Sequence, residues 1–280
     1  MQSRDPILRT EPQVGATEEL SLRVSTAVLT KTTFRHPESG EPMLVLERKA
    51  VAEVTSSGIK EKLQAQPLGG ASRLVNPAAL GQLVGQFNYD SAESKSEGDF
   101  RIQIRPEDWS RVRDFCVMHF MDPSTGVIEA NPERELAEEL GDSLEIEVNP
   151  SSYCSRNLGI VLRGATSTDR VGVSGQQTVR AFNIYHVEIT DPTLITKIVE
   201  NSSAVSDQSL IRDAREKAVA SGKKGKSTAL LVVALSHVVD AFVSKDLNGE
   251  WPTVTVEGHT IADNVPAIFC EELPEVVVTR

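Results

Sequence analysis

The segment Asn131-Pro-Glu-Arg-Glu-Leu-Ala-Glu-Glu-Leu-Gly141 constrains this chain more tightly than any other. Asn131 has a side-chain oxygen suited to an N-cap, Pro132 fits the first helical position, and Gly141 fits the residue just past a helix end. The pattern predicts a short helix over 132–140. At 3.6 residues per turn, Glu135, Glu138 and Glu139 share one face, while Leu136 and Leu140 form an apolar ridge that can anchor the helix to a core. Three neighbouring carboxylates repel one another and weaken an isolated helix. A divalent cation would offset that repulsion, and Mg²⁺ or Mn²⁺ prefers such hard oxygen donors. On spacing alone the alternative is a solvated acidic face.

The rest of the chain alternates strand and helix patterns. β-Branched residues at Val24, Thr26, Val28 and Thr30 suit a strand over 20–34. After the turn at His36-Pro-Glu-Ser-Gly40 a second strand follows from Met43 to Arg48, completing a hairpin. Gly69-Gly70 marks a loop where the backbone approaches something closely or takes positive φ. Residues 77–98 read as an insertion ending in a mobile Ser/Glu/Lys-rich patch. A strand is expected over 100–104, and then Pro106 opens a helix with Trp109, Val112, Phe115, Cys116 and His119 on one stripe. Further strands are expected near 144–148, 158–163 and 178–190, and helices near 192–200, 208–220 and 228–243. This order predicts an α/β (α+β) sandwich. It comprises a flexible tail over 1–17, a main domain over 18–245, and a helical C-terminal extension over 246–280 packed on that domain.

Charge narrows the function classes. Forty acidic against 29 basic residues leave −11, which disfavours nucleic acid or an anionic membrane as partner, since both need basic surface to replace counterions. Cys116, Cys154 and Cys270 form no CxxC pair and no closed disulfide set, so a reduced, cytoplasmic compartment is the expectation. The polar start Met1-Gln-Ser-Arg-Asp-Pro lacks a secretory apolar stretch, and the longest apolar run, 229–234, is far short of a membrane span. Oligomeric state stays open, with a homodimer among the options.

The string Arg134-Glu135-Leu136-Ala137-Glu138-Glu139-Leu140-Gly141 resembles the second half of the Nudix box, Arg-Glu-apolar-x-Glu-Glu-x-Gly. The resemblance implies an α/β/α sandwich around a mixed sheet and a metal-dependent hydrolase that cleaves the pyrophosphate of a nucleoside diphosphate derivative. It further implies Mg²⁺ or Mn²⁺ held by Glu135, Glu138 and Glu139, and a structural salt-bridge role for Arg134. The hairpin over 20–48 would open the sheet. The box's first half departs from the pattern, with Phe120 where Gly is expected and Gly126 where Glu is expected. Two segments are candidates to replace it. One is a compressed loop, Gly126-Val-Ile-Glu129; the other, preferred, is Pro67-Leu-Gly-Gly-Ala-Ser-Arg73, with Gly69 and Gly70 as substrate-binding positions. Half a box is also consistent with a non-catalytic Nudix-fold module that binds a nucleotide or a protein.

Other signals are weaker. Ala220-Ser-Gly-Lys-Lys-Gly-Lys-Ser-Thr228 nearly reads as a phosphate-binding loop, but a helix precedes it where a strand is required. The five histidines show no metal-binding spacing, and no Gly-x-Ser-x-Gly elbow is present. Glu188, on an expected strand, is a surface residue or an added carboxylate at the site.

Overall fold

The computed structural model describes residues 20–145, 148–168, 175–243, 245 and 251–279. Its frame is set by three long strands in succession, β1 (Leu22–Arg35), β2 (Pro42–Thr55) and β3 (Gly58–Ala71). A short strand β4 (Arg73–Leu74) follows, then α1 (Pro77–Val84), β5 (Asn88–Tyr89), α2 (Ala92–Glu97), β6 (Arg101–Ile104) and α3 (Trp109–Met121). Next come β7 (Ile128–Glu129) and α4 (Pro132–Leu144), and two further long strands, β8 (Tyr153–Ser167) and β9 (Gln177–Ile189). The chain continues through α5 (Pro192–Ala204), α6 (Asp207–Ser221), β10 (Lys224–Ala234) and α7 (Leu235–Ala241), and ends with β11 (Val254–Val256), β12 (His259–Ile261) and β13 (Val278–Thr279).

The centre of the mixed sheet is β1. Along one edge it pairs in parallel with β9 from Arg23↔Thr178 to Thr33↔Glu188. The other edge is shared by three antiparallel partners in turn: β6 at Leu22–Ser25, β3 at Ala27–Thr30, and β2 at Thr32–Arg35. Strand β3 therefore changes partner at Pro67 and Leu68, leaving β2 at Leu46↔Pro67 and joining β1 at Thr30↔Leu68. Proline cannot donate to a ladder, so this handover is a place where a strand interior tolerates it.

Alternation along the strands gives the sheet two faces. On one face Leu29, Leu44, Leu46, Phe182 and Ile184 are covered by α7 and by Val265, Ile268 and Phe269 of the C-terminal segment. On the other, two apolar clusters lie side by side. Val24, Val28 and Ala181 pack under α1 and α3, while Phe34, Val45, Leu68 and Val187 pack under α4 and α5 through Leu136, Leu140, Leu194 and Ile198. Between them on this face both central strands turn polar: Thr30 and Thr32 on β1, Asn183 and Tyr185 on β9. The fold is thus a mixed α/β sandwich, with helices on both faces of a curled sheet.

Several local expectations are corrected. Helix α4 does not stop at Gly141; it runs to Leu144 and closes on Glu145 at φ 54°. The strand expected over 144–148 is therefore helical at Leu144, and residues 146–147 lie outside the described set. The expected helix over 228–243 is strand β10 as far as Ala234, paired with β2 from Lys224↔Glu53 to Ala234↔Met43, and helix only over α7, from Leu235 to Ala241. The β10 run Ala229-Leu-Leu-Val-Val-Ala234 is apolar on both sides because both sides of that strand are covered, so no period distinguishes it from helix. The C-terminal extension is built of short strands and a 3₁₀ turn at Val265–Ile268 rather than α-helix. The patch expected to be mobile forms α2, capped by Ser91, whose hydroxyl accepts from the Ser94 N–H. The tail over 1–17 lies outside the described residues.

Candidate functional site

Helix α4 begins where its cap predicts. Asn131 Oδ1 accepts the Glu133 N–H at 2.9 Å, and Pro132 follows in the first turn. Leu136 and Leu140 are fully buried against β1, β2 and β3 residues, which presses the acidic face onto the end of β3. That contact is possible because β3 carries two glycines there. A Cβ on Gly70 would collide with the Glu135 carboxylate, and a Cβ on Gly69, at φ 142°, would collide with the Val28 carbonyl. Gly69 and Gly70 are accordingly strand residues rather than the expected loop, although the close backbone approach is real.

The three glutamates occupy different environments. Glu135 is 3% exposed and forms an ion pair with Arg134. Glu139 is partly covered, and its Oε2 accepts the Gly69 N–H at 2.6 Å. Glu138 is half exposed and meets the Arg134 guanidinium at 3.2 Å and Arg73 at 3.7 Å. Arg134 is the hub of this corner. Its Nε donates to Glu129 at 2.8 Å and its Nη2 to the Ala71 carbonyl at 3.2 Å, besides its contacts with Glu135 and Glu138. It therefore ties the start of α4 to β7 and to the end of β3.

The two segments weighed as replacements for the missing half-box are brought together. Strand β4 pairs with β7 through Arg73↔Glu129 and Leu74↔Ile128, so both flank the start of α4. Sequence reading treated them as alternatives because a long excursion separates them, and spacing alone does not show that a chain returns.

One participant was missed. Glu47 on β2, 3% exposed, accepts from Gln66 Nε2 at 2.8 Å and pairs with Lys49 at 3.1 Å, and its charge acts on Glu139. The alternation Val45, Glu47, Lys49 was the available signal, since Val45 packs under α4 and residues two and four further on share its face. Glu188 lies elsewhere. Val187 faces α4, so the adjacent Glu188 looks to the other side of the sheet, where it is exposed.

The electrostatics follow from crowding. Burial, reinforced by Glu138 and Glu129 and opposed by Arg134, pushes the Glu135 carboxyl up to about 7. Burial and the Glu47 carboxylate hold Glu139 well above the usual carboxylate range, against the pull of Lys49 and the Gly69 N–H. Burial works against the charge on Arg134, but Glu135, Glu129 and Glu138 outweigh it and keep the guanidinium protonated. The corner thus concentrates negative charge that its own cations do not fully balance. Among the described residues, no group of three or more His, Cys, Asp or Glu side chains is placed to hold a metal ion.

Elsewhere, the near phosphate-binding loop is a helix-to-strand turn, with α6 closing at Gly222 and β10 starting at Lys224. His119 pairs with Thr125 at 2.9 Å and His237 with Glu257 at 2.7 Å. No helix among the described residues is long and apolar enough to cross a membrane. Comparisons with protein-family models, curated proteins and solved structures find no match to this chain.

Proposed function

We propose that this chain is a Nudix-type, metal-dependent hydrolase that cleaves the pyrophosphate of a nucleoside diphosphate derivative. One observation carries the reading: α4 sets Glu135 and Glu139 against the Gly69-Gly70 edge, beside Glu47, in a corner whose carboxyls are pushed above their ordinary range. Carboxylates crowded this way disfavour their own charge, and a hard divalent cation is the partner that relieves the crowding. The donor chemistry suits Mg²⁺ or Mn²⁺, because every candidate ligand is a carboxylate oxygen and Glu139 keeps one oxygen beyond its bond to Gly69; a cation would have to draw the three side chains together, since among the described residues they are not gathered around one point.

In this reading Glu135, Glu138 and Glu139 hold the cation, which supplies Lewis-acid polarisation of a phosphoryl oxygen. Glu138, half exposed, is the ligand nearest solvent and exchanges its contacts with Arg134 and Arg73 for the cation. Arg134 keeps the helix start fixed through Glu129 and the Ala71 carbonyl while its acidic neighbours are engaged. Gly69 and Gly70 let the helix lie close enough for the carboxylates to meet the strand end. Net charge −11 fits a small nucleotide-derived substrate brought in with its metal better than nucleic acid or a membrane surface. The three free cysteines accord with a cytoplasmic setting.

Purified protein is titrated with Mg²⁺ and Mn²⁺ while its melting temperature is followed. It is then incubated with ADP-ribose, NAD, dinucleoside polyphosphates and (d)NTPs. Metal-dependent stabilisation together with turnover that Glu138→Gln lowers about a hundredfold is the expected result. Absence of both removes the proposal.

A second reading, a non-catalytic module that binds a nucleotide or a protein partner, draws on a different observation. Glu135, Glu138 and Glu139 each already have a partner within the protein. Saturable nucleotide binding without turnover under any metal would favour it.

A further inference from the structure

A cavity of about 530 Å³ opens on the same face of the sheet as α4, lined by Phe120 and Met121 at the end of α3, by β8 residues from Arg156 to Ile160, and by Tyr185 and Thr279. Its size lies within the range that holds small organic ligands. Phe120, Leu158 and Ile160 give it apolar wall, and Arg156, Asn157, Tyr185 and Thr279 bring polar groups to it.

Those polar groups have defined directions. Asn157 Nδ2 donates to Asn183 Oδ1 at 2.8 Å, and Asn183 Nδ2 donates to the Tyr185 hydroxyl at 3.3 Å. With the hydroxyl oxygen accepting, the Tyr185 O–H is left to donate elsewhere; with the Asn157 amine donating, its carbonyl oxygen is left to accept. The cavity therefore offers a donor and an acceptor from neighbouring strands, beside an aromatic wall. Arg156 stands at the rim, held there by Glu271 at 2.8 Å, with further N–H groups on its planar fork.

Strand register places the cavity relative to the carboxylates. Leu68, next to the Gly69 that Glu139 grips, pairs with Thr30; Thr30 pairs with Tyr185; Tyr185 pairs with Asn157. Three inter-strand steps of about 4.8 Å make about 14 Å. The ground between is polar and wholly buried: Thr30 Oγ1 donates to the Leu68 carbonyl at 3.0 Å and lies 2.8 Å from Thr32 Oγ1.

We propose that this cavity seats the heteroaromatic ring of a nucleotide, with Phe120 and Tyr185 as the wall, the Tyr185 O–H and the Asn157 carbonyl reading the ring's edge, and Arg156 at the mouth facing its phosphate. The choice of a nucleotide as the molecule that carries the ring rests on the hydrolase reading. The ring seat itself requires no turnover.

The test uses the full chain in excess EDTA, so that binding is read without hydrolysis. Calorimetric titrations compare AMP, GMP, CMP and UMP with ribose 5-phosphate. At least one nucleotide is expected to bind, with ribose 5-phosphate at least tenfold weaker. Tyr185→Phe, which keeps the ring and loses one hydrogen bond, should weaken nucleotide binding about fivefold to tenfold. Equal binding of nucleotide and ribose 5-phosphate, no binding of any, or no effect of Tyr185→Phe overturns the seat. The two proposals fail separately. Ring binding lost in Tyr185→Phe, with no turnover under any metal, removes the hydrolase and keeps the seat; metal-dependent turnover with KM unmoved by Tyr185→Phe does the reverse.

Discussion

Two charged corners of this protein handle their carboxylates in opposite ways. At the C-terminal segment, Glu271 and Glu272 meet the buried Lys31 at 2.8 Å, and Glu271 also meets Arg156. There the ammonium and guanidinium hold Glu271 down to about 2. At α4, Glu135 is pushed up to about 7 and Glu139 well above its ordinary range. Both corners contain cations and both lie against the same sheet, so proximity to positive charge is not what separates them. The difference lies in the ratio of signs and in burial. The first corner fastens the C-terminal segment across the sheet; the second buries carboxyls whose ionised forms are disfavoured, at a cost in stability above their raised range.

The comparison can be broken at its strongest point. Replacing Lys31 by Met leaves two acidic groups without their buried partner. The protein should lose about 3 kcal/mol in urea unfolding at neutral pH. Because Glu271 is depressed, its contribution is present above the ordinary carboxylate range and fades as pH falls toward 2. The variant's deficit should shrink along the same path. An unchanged midpoint would show that the corner does not fasten the segment.

The next effect concerns chemistry. Glu138→Gln should reduce metal-dependent turnover about a hundredfold, equivalent to about 2.7 kcal/mol, without lowering the melting point measured in EDTA. Loss of stability instead would make Glu138 a structural partner of Arg134.

Glu135→Gln should act in the opposite sense to Lys31→Met. A carboxyl raised in the folded state binds its proton more tightly there than when unfolded. Ionisation therefore drains stability as pH rises from about 4.5 to about 7. Above that window the variant should gain about 2 kcal/mol over the parent in EDTA, and added Mg²⁺ should stabilise the parent but not the variant. A variant less stable than the parent at pH 8 would mean that the ion pair with Arg134 outweighs the crowding. Smallest, Gly70→Ala forces the Glu135 carboxylate aside and should lose about 1 kcal/mol. Making it in a Glu135→Ala background tests whether that collision is the cause, because with no side-chain end facing the new Cβ the loss should disappear.

How much of this was legible in the residues depends on how local the cause is. The start of α4 was, because Asn131 and Pro132 act within one turn. The close approach at Gly69-Gly70 was too, since glycine pairs advertise it. The end of α4 was not: Gly141 looks like a stop, yet the packing of Leu140 and Leu144 on α5-side residues carries the helix past it. Strand β10 was hidden for a similar reason, its continuous apolar run carrying no period. Alternation with Val45 could have put Glu47 on the α4 face, but Tyr185 and Asn183 became interpretable only through register, because what places them is the partner strand rather than the neighbours in sequence.

The ladder between β4 and β7 is only two residues long, yet it ties together the flanks of the acidic helix across everything from Val75 to Val127. A nascent chain leaving the ribosome cannot complete that clasp until the whole intervening stretch has emerged. Assembly of the corner thus waits until about the midpoint of synthesis, and the electrostatic tension it holds is imposed only after the strands from β1 to β3 have been made.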